Sequence, residues 1–253
     1  MTKLDRLIDI LYSERGENAP KVTDSEKPYL FRALVNVRMP QHANKEFLQM
    51  QNEYLQEVIR HKGITDIDDL TPVAADIYLW QGDITTLRCD GIVNAANSQM
   101  LGCFCPNHGC IDNAIHTFAG VQLRQECAEI MKAQNHDEPT GQAKITNAYN
   151  LPCKYVLHTV GPIVHGELNE KHEKQLANCY NACLSLADKH GLKSIAFCCI
   201  STGEFHFPNE RAAQIAVATV TEYKQKTHSE IKVIFNVFKD YDYEIYARLL
   251  NAN

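Results

Sequence analysis

Cys103, Cys105, His108 and Cys110 fall within eight residues of one another, on a stretch bent by Pro106 and Gly109. Thiolate sulfur and imidazole nitrogen are the ligands zinc prefers, and closely spaced ligands on a loop can close around one ion. Four ligands would complete a tetrahedral site of structural type; three would leave a position for water or substrate, which is the catalytic type. The paired CxxC arrangement of a structural zinc module is absent, and the residues alone leave both sets open. Asp112 and Asn113 follow directly, where a helix is expected to begin. An acid at that point is favoured by the helix dipole and could serve as a cap alone. Beside a metal, the same carboxylate could orient or deprotonate water. His116 lies one turn further on.

A second group has the chemistry of a phosphate cradle. Ser201, Thr202, Gly203, Glu204 and Phe205 follow an apolar run and precede Pro208 and a helix-length segment. Small hydroxyl residues and a glycine after a strand expose backbone N–H groups that can hold a phosphate. Phe205 offers a ring face to a base or sugar. Gly161 and Pro162, after another strand-like run, would form a further rim of the same cleft.

These groups need a scaffold that gathers loop ends on one edge. Strand-like runs at 76–80, 91–94, 143–148, 155–159, 194–200 and 232–237 alternate with amphipathic segments at 111–133, 170–190, 209–226 and 241–250. The alternation predicts a layered α/β domain with a mostly parallel sheet. A tight reversal at Tyr149, Asn150, Leu151 and Pro152 makes the sheet mixed. In open α/β sheets, phosphate-bearing ligands bind past the strand ends and before helix N-termini. Residues 1–70 read differently. Three amphipathic helices, over the first dozen residues, 25–37 and 44–62, are expected, with Gly63 as the last stop signal. No titratable cluster there asks for a functional reading. The expected organisation is a helical N-terminal extension, 1–70, packed on a main domain of 71–253.

Composition narrows the class. The chain has 253 residues, 45% of them hydrophobic, enough for a sizeable core. A net charge of −6 argues against a non-specific nucleic-acid binder. No apolar run reaches membrane-span length, and the first residues do not form a secretory signal. Of ten cysteines, Cys89, Cys127, Cys153, Cys179, Cys183, Cys198 and Cys199 read as small buried hydrophobes of a cytoplasmic protein whose thiols stay reduced.

The ordered motifs Gly82-Asp83-Ile84-Thr85, Val93-Asn94-Ala95-Ala96-Asn97-Ser98, Ile111-Asp112-Asn113-Ala114-Ile115-His116, Ala119-Gly120, His158-Thr159-Val160-Gly161-Pro162 and Ser201-Thr202-Gly203 together resemble a macrodomain. The likeness is to the MacroD-type ADP-ribosyl hydrolases, over roughly 74–250. It implies a three-layer α/β/α fold with a mixed central sheet, binding ADP-ribose across the strand ends. By that resemblance Asp83 would bond the adenine amino group with Ile84 beside the base. Asn97 would contact the distal ribose and share a catalytic role with Asp112. Ser201, Thr202, Gly203, Glu204 and Phe205 would wrap the diphosphate, and Phe238 would flank the adenosine. One departure matters: the glycine run that MacroD-type proteins carry before the aspartate is replaced by 102–110, as in the zinc-containing macrodomains of bacteria and fungi. Those relatives share a helical extension, and their ligand pattern implies Zn2+ on Cys103, His108 and Cys110, with Cys105 a bystander. The activity implied is zinc-assisted removal of ADP-ribose from a mono-ADP-ribosylated protein, at an ester of Asp or Glu. Neighbouring genes in the family, for a sirtuin-type transferase and lipoylation proteins, imply a lipoyl-carrier protein as substrate. The alternative is a non-catalytic ADP-ribose reader with structural zinc.

Overall fold

The computed structural model describes residues 2–251. Helix α1 (Lys3–Ser13) starts where Thr2 and Asp5 cap each other. The Thr2 hydroxyl accepts from the Asp5 N–H, and the Asp5 carboxylate accepts from the Thr2 N–H; this satisfies two end groups that the helix cannot. Leu7, Ile8 and Leu11 then pack against Phe31, Leu34 and Val35 of α2 (Lys27–Val37) and Phe47 and Leu55 of α3 (Lys45–Lys62). α3 stops at Gly63, as the sequence predicts. The three helices thus hold a small apolar core of their own.

Past α3 the chain makes a short parallel pair, β1 (Thr65–Asp66) with β4 (Leu87–Arg88). The main sheet has seven strands in the order β2 (Pro72–Ala74), β3 (Ile77–Gln81), β9 (Lys232–Val237), β8 (Ser194–Phe197), β5 (Gly91–Ala96), β7 (Tyr155–Val160) and β6 (Ala143–Asn147). The five inner strands are parallel, and the edge strands β2 and β6 are antiparallel to their neighbours. The inner strands β5, β7, β8 and β9 are near-continuously buried, as strands covered on both faces must be, while β3 is buried only over its first two residues. α4 (Ile111–Ala119) and α5 (Val121–Gln134) cover one face; α6 (Glu170–Lys189), α7 (Asn209–Thr227) and α8 (Asp240–Asn251) lie side by side on the other. Phe118 on α4 touches both the main core and the small helical one, and so forms the seam between them.

The register places an opening. β5 and β8 pair only through Gly91 with Ile195 and Ile92 with Ala196. The strand expected over 194–200 ends at Phe197, because the chain is turning toward Ser201, whose φ of 65° no strand accommodates. The segments that follow β5 and β8 therefore leave the ladder on either side of a crevice at the carboxyl edge, the usual ligand position in such sheets.

The single helix expected over 111–133 is instead α4 and α5, broken at Gly120. The apolar stripe continues on both sides of the break, which is why periodicity runs through it. Gly120 has φ 98°, and a Cβ there would lie 2.6 Å from the Gln51 amide nitrogen. The same Gln51 accepts the freed Val121 N–H through Oε1 at 3.0 Å. Gly120→Ala should cost about 1–3 kcal/mol, from the strained backbone together with the displaced Gln51. Urea unfolding of the two proteins measures it, and an unchanged midpoint would remove Gly120 as the cause of the break.

Candidate functional site

The cysteine loop is built between the end of β5 and the start of α4. Asn97 closes its first turn: Oδ1 accepts from the Gln99 N–H at 3.1 Å, and Nδ2 donates to the Gly102 carbonyl at 3.1 Å. Gly102 has φ 80°, and a Cβ on it would stand 2.8 Å from the His116 ring, so only glycine lets the loop lie this close to α4. At the far end Cys110 caps α4, its Sγ accepting the Asn113 N–H at 3.4 Å. Between these anchors, the ligand atoms of Cys103, His108 and Cys110 all lie within 4.8 Å of one another. Cys103 Sγ is 3.6 Å from His108 Nδ1. Cys105 stands outside the group, exposed, and its carbonyl accepts from Asn113 Nδ2 at 3.0 Å and from the His108 N–H at 3.2 Å. Burial pushes the Cys110 thiol up to about 12 against the opposing Asn113 N–H, and a cation beside it would favour the thiolate.

Asp112 does not cap the helix. It is 5% exposed and turns inward, where Oδ1 accepts from Asn94 Nδ2 at 2.8 Å and lies 3.5 Å from His116 Nε2. Asn94 Nδ2 is also 3.1 Å from His158 Nδ1, and His158 Nε2 is 2.9 Å from Thr146 Oγ1. A polar chain therefore runs from α4 through β5 and β7 to β6. Burial raises the Asp112 carboxyl to about 6, although Asn94 and the Arg124 guanidinium pull the other way. Burial lowers His158 to about 3, and burial with His158 and Arg124 nearby holds His116 well below the usual imidazole range. Both imidazoles are neutral at pH 7.

At the opposite end of the cleft, Asp83 caps a single 3-10 turn, Ile84–Thr86. Its Oδ1 accepts from Thr85 N–H at 3.0 Å and Thr85 Oγ1 at 2.6 Å; Oδ2 accepts from Lys62 Nζ at 2.8 Å. Burial alone would raise this carboxyl, but Lys62 and Thr85 outweigh it and keep it below the ordinary value. The Lys62 ammonium also sits 3.5 Å from the centre of the Phe118 ring. The Gly82 N–H donates to the Val237 carbonyl at 3.0 Å, which brings Asp83 and the buried Ile84 alongside Phe238, a ring 75% exposed at the end of β9.

The segment after β8 is a compact turn. Thr202 Oγ1 donates to the Cys199 carbonyl at 3.0 Å, and the Phe207 N–H donates to the Ser201 carbonyl at 2.9 Å. Among the described residues, the N–H groups of Gly203, Glu204 and Phe205 take no protein acceptor, as an anion cradle requires. Glu204 Oε1 reaches to 3.6 Å from His108 Nε2, so this turn and the cysteine loop meet across the crevice.

Lys62 escapes a reading by motif chemistry, and Asn94 and His158 enter only within the family motifs. Asn94 and His158 did carry a signal: each is a polar residue inside an otherwise apolar run, and a buried polar group must be hydrogen-bonded. Lys62 carried none, since nothing local marks a long side chain that reaches a distant loop.

The Macro domain family model matches residues 93–216. A protein-ADP-ribose hydrolase of Treponema medium is 56% identical over 262 residues, an alignment spanning 99% of this chain and 100% of the relative. The chain belongs to the macrodomain family. A second relative, a protein-ADP-ribose hydrolase of Staphylococcus aureus, is 48% identical over 256 residues, covering 99% of this macrodomain and 96% of its own length. The crystal structure of a Trypanosoma brucei macrodomain in complex with ADP-ribose matches with a TM-score of 0.66 at 30% identity, over 91% of this chain and 97% of that one.

The polar chain beneath the macrodomain's crevice has a pH signature. His158 has a folded value near 3, below its unfolded value near 6.5, so the unfolded chain binds the extra proton between them. Stability is then complete above about 6.5 and is lost as pH falls toward 3. His158→Gln, which can still donate to Thr146, should flatten that acid limb by several kcal/mol, as judged by the shift of about 1.4 kcal/mol per pH decade. Denaturant unfolding of both proteins from pH 4 to 7 is the measurement; parallel curves would exclude His158.

Proposed function

We propose that this macrodomain is a hydrolase that removes ADP-ribose from mono-ADP-ribosylated protein, at an ester of Asp or Glu, with zinc assisting. Two relatives that align over nearly their whole length are protein-ADP-ribose hydrolases. The observation that carries the metal part is the grouping of Cys103, His108 and Cys110 within 4.8 Å, with Cys105 outside it. Two sulfurs and one imidazole are a donor set that fits zinc, and three protein ligands leave one position open. Zinc held there would supply Lewis-acid polarisation of a water or ribose hydroxyl. The open position favours a hydrolase over a reader with a closed structural site.

The protein groups have separate tasks. Asp83 and Ile84 take the adenine, with Phe238 flanking the adenosine. Ser201, Thr202, Gly203, Glu204 and Phe205 hold the diphosphate through the free N–H groups of the turn. Asn97 holds the loop beneath the distal ribose. Asp112, facing inward onto Asn94, acts as an orienter of α4 and its loop. A lipoyl-carrier protein remains the proposed modified partner.

The test is release of ADP-ribose from a protein modified on Asp or Glu. Wild type should turn over, and chelated wild type should not. His108→Ala and Cys110→Ala should lose zinc and activity; Cys105→Ala should keep both. Asp83→Ala should weaken ADP-ribose by about 1–3 kcal/mol in calorimetry, the cost of an unpaired base donor. Turnover by wild type that survives chelation would sink the zinc part, and ADP-ribose binding without any turnover would leave a reader.

A further inference from the structure

The N-terminal helices touch the cysteine loop through polar, directional contacts. Arg32 on α2 donates through Nη2 to the His108 carbonyl at 2.9 Å, and through Nη2 and Nε to Asn113 Oδ1 at 2.8 and 3.2 Å. Asn36, buried on the same helix, accepts the Asn107 N–H at 2.9 Å and donates to Thr117 Oγ1 at 2.9 Å. Arg124 on α5 lies 4.4 Å over the Phe104 ring and donates to the Leu101 carbonyl at 2.7 Å, while it also caps the carbonyls of Val35, Asn36 and Arg38 at the end of α2. Four residues of one short loop are thus fixed to α2, directly or through Arg124.

Packing does not account for these bonds. α2 already buries Phe31, Leu34 and Val35 in the small helical core. Arg32 and Asn36 instead reach Asn107 and His108, two of the four loop residues between Cys105 and Cys110. A metal ligand holds its geometry only when groups behind it fix its backbone and ring. The planar guanidinium suits this task, because one fork joins the loop carbonyl to the Asn113 amide, and an ammonium cannot make both sets of bonds.

We propose that α2 is a working part of the metal site, with Arg32 and Asn36 as positioning residues that set the His108 backbone so that its imidazole closes on Cys103 and Cys110. The inference rests on the zinc reading above. It makes the N-terminal extension part of the catalytic apparatus and not a cap on the main domain.

The experiment uses the full chain, as wild type, Arg32→Gln, Arg32→Lys and Asn36→Ala. Zinc affinity is read by competition with a chromophoric chelator, loop geometry by the visible spectrum of the cobalt-substituted protein, and the adenosine side by ADP-ribose binding. Arg32→Gln should bind zinc tenfold or more weakly, the usual effect of removing a group that supports a ligand. Its cobalt bands should shift and its kcat should fall, with ADP-ribose affinity near wild type. Arg32→Lys should fall between the two, and Asn36→Ala should follow Arg32→Gln in zinc affinity. Wild-type zinc affinity and an unchanged cobalt spectrum in the Arg32 variants would overturn the proposal, even if their melting temperatures drop. Wild type that holds no zinc at all would overturn the metal reading itself, and this inference with it.

Discussion

The Arg124 guanidinium is the point on which both parts of the chain close. It is 5% exposed, and burial lowers it to about 10, so it remains a cation at neutral pH. A buried charge is tolerated only when hydrogen bonds replace its water. Arg124 has four carbonyl acceptors, and three of them come from Val35, Asn36 and Arg38 around the end of α2. Those carbonyls would otherwise be orphaned, and they lie where the helix dipole is negative. The fourth, from Leu101, belongs to the cysteine loop. One side chain therefore satisfies a helix end, anchors a loop and ties α5 to the extension. Replacing it would strand four acceptors together, so the loop geometry and the seam between the two cores stand or fall as one.

Beneath the loop, the sheet carries polar groups where it would be expected to carry only apolar ones. Asn94 and His158 sit opposite each other in the β5–β7 register. They link Asp112 on α4 to Thr146 across the neighbouring strands β5, β7 and β6. The arrangement has two opposed titrations: burial favours the protonated form of Asp112 and the neutral form of His158. Raising pH through the Asp112 range costs stability, while lowering pH through the His158 range costs it too. The two effects oppose one another in the mildly acidic range, and His116, also held neutral by burial, adds to the His158 side, so stability still falls toward acid.

The layered fold was legible because the inner strands are short apolar runs separated by helix-length amphipathic segments, and that pattern follows directly from burial on both faces. The pairs β1, β2 and β4 escaped, since two or three residues are too few for a period. The break at Gly120 escaped because Ile115, Phe118, Leu123 and Cys127 keep one stripe across it. The cysteine loop was legible from ligand types at close spacing; its geometry groups Cys103, His108 and Cys110 and leaves Cys105 exposed outside them. The inward turn of Asp112 was not legible, because helix capping and a buried hydrogen bond both call for an acid at that position. Nor was the reach of the extension: Arg32 meets Asn113 81 residues further along the chain, and sequence pattern has no means of pairing long side chains over such spans.

The place of β9 in the sheet has a consequence for how the protein is made. β3 emerges early, but its parallel neighbour in the sheet is β9, which also provides the link to β8. During synthesis, therefore, β3 and its partner β2 wait as an isolated hairpin while β5, β7, β6 and β8 can already pair among themselves. Only when 232–237 leave the ribosome can the two sections join edge to edge. Asp83, beyond β3, then lies at the same carboxyl edge as the turn at Ser201, beyond β8. The Asp83 end of the crevice is therefore the last to be added, and until then the open β8 edge is the surface most in need of protection.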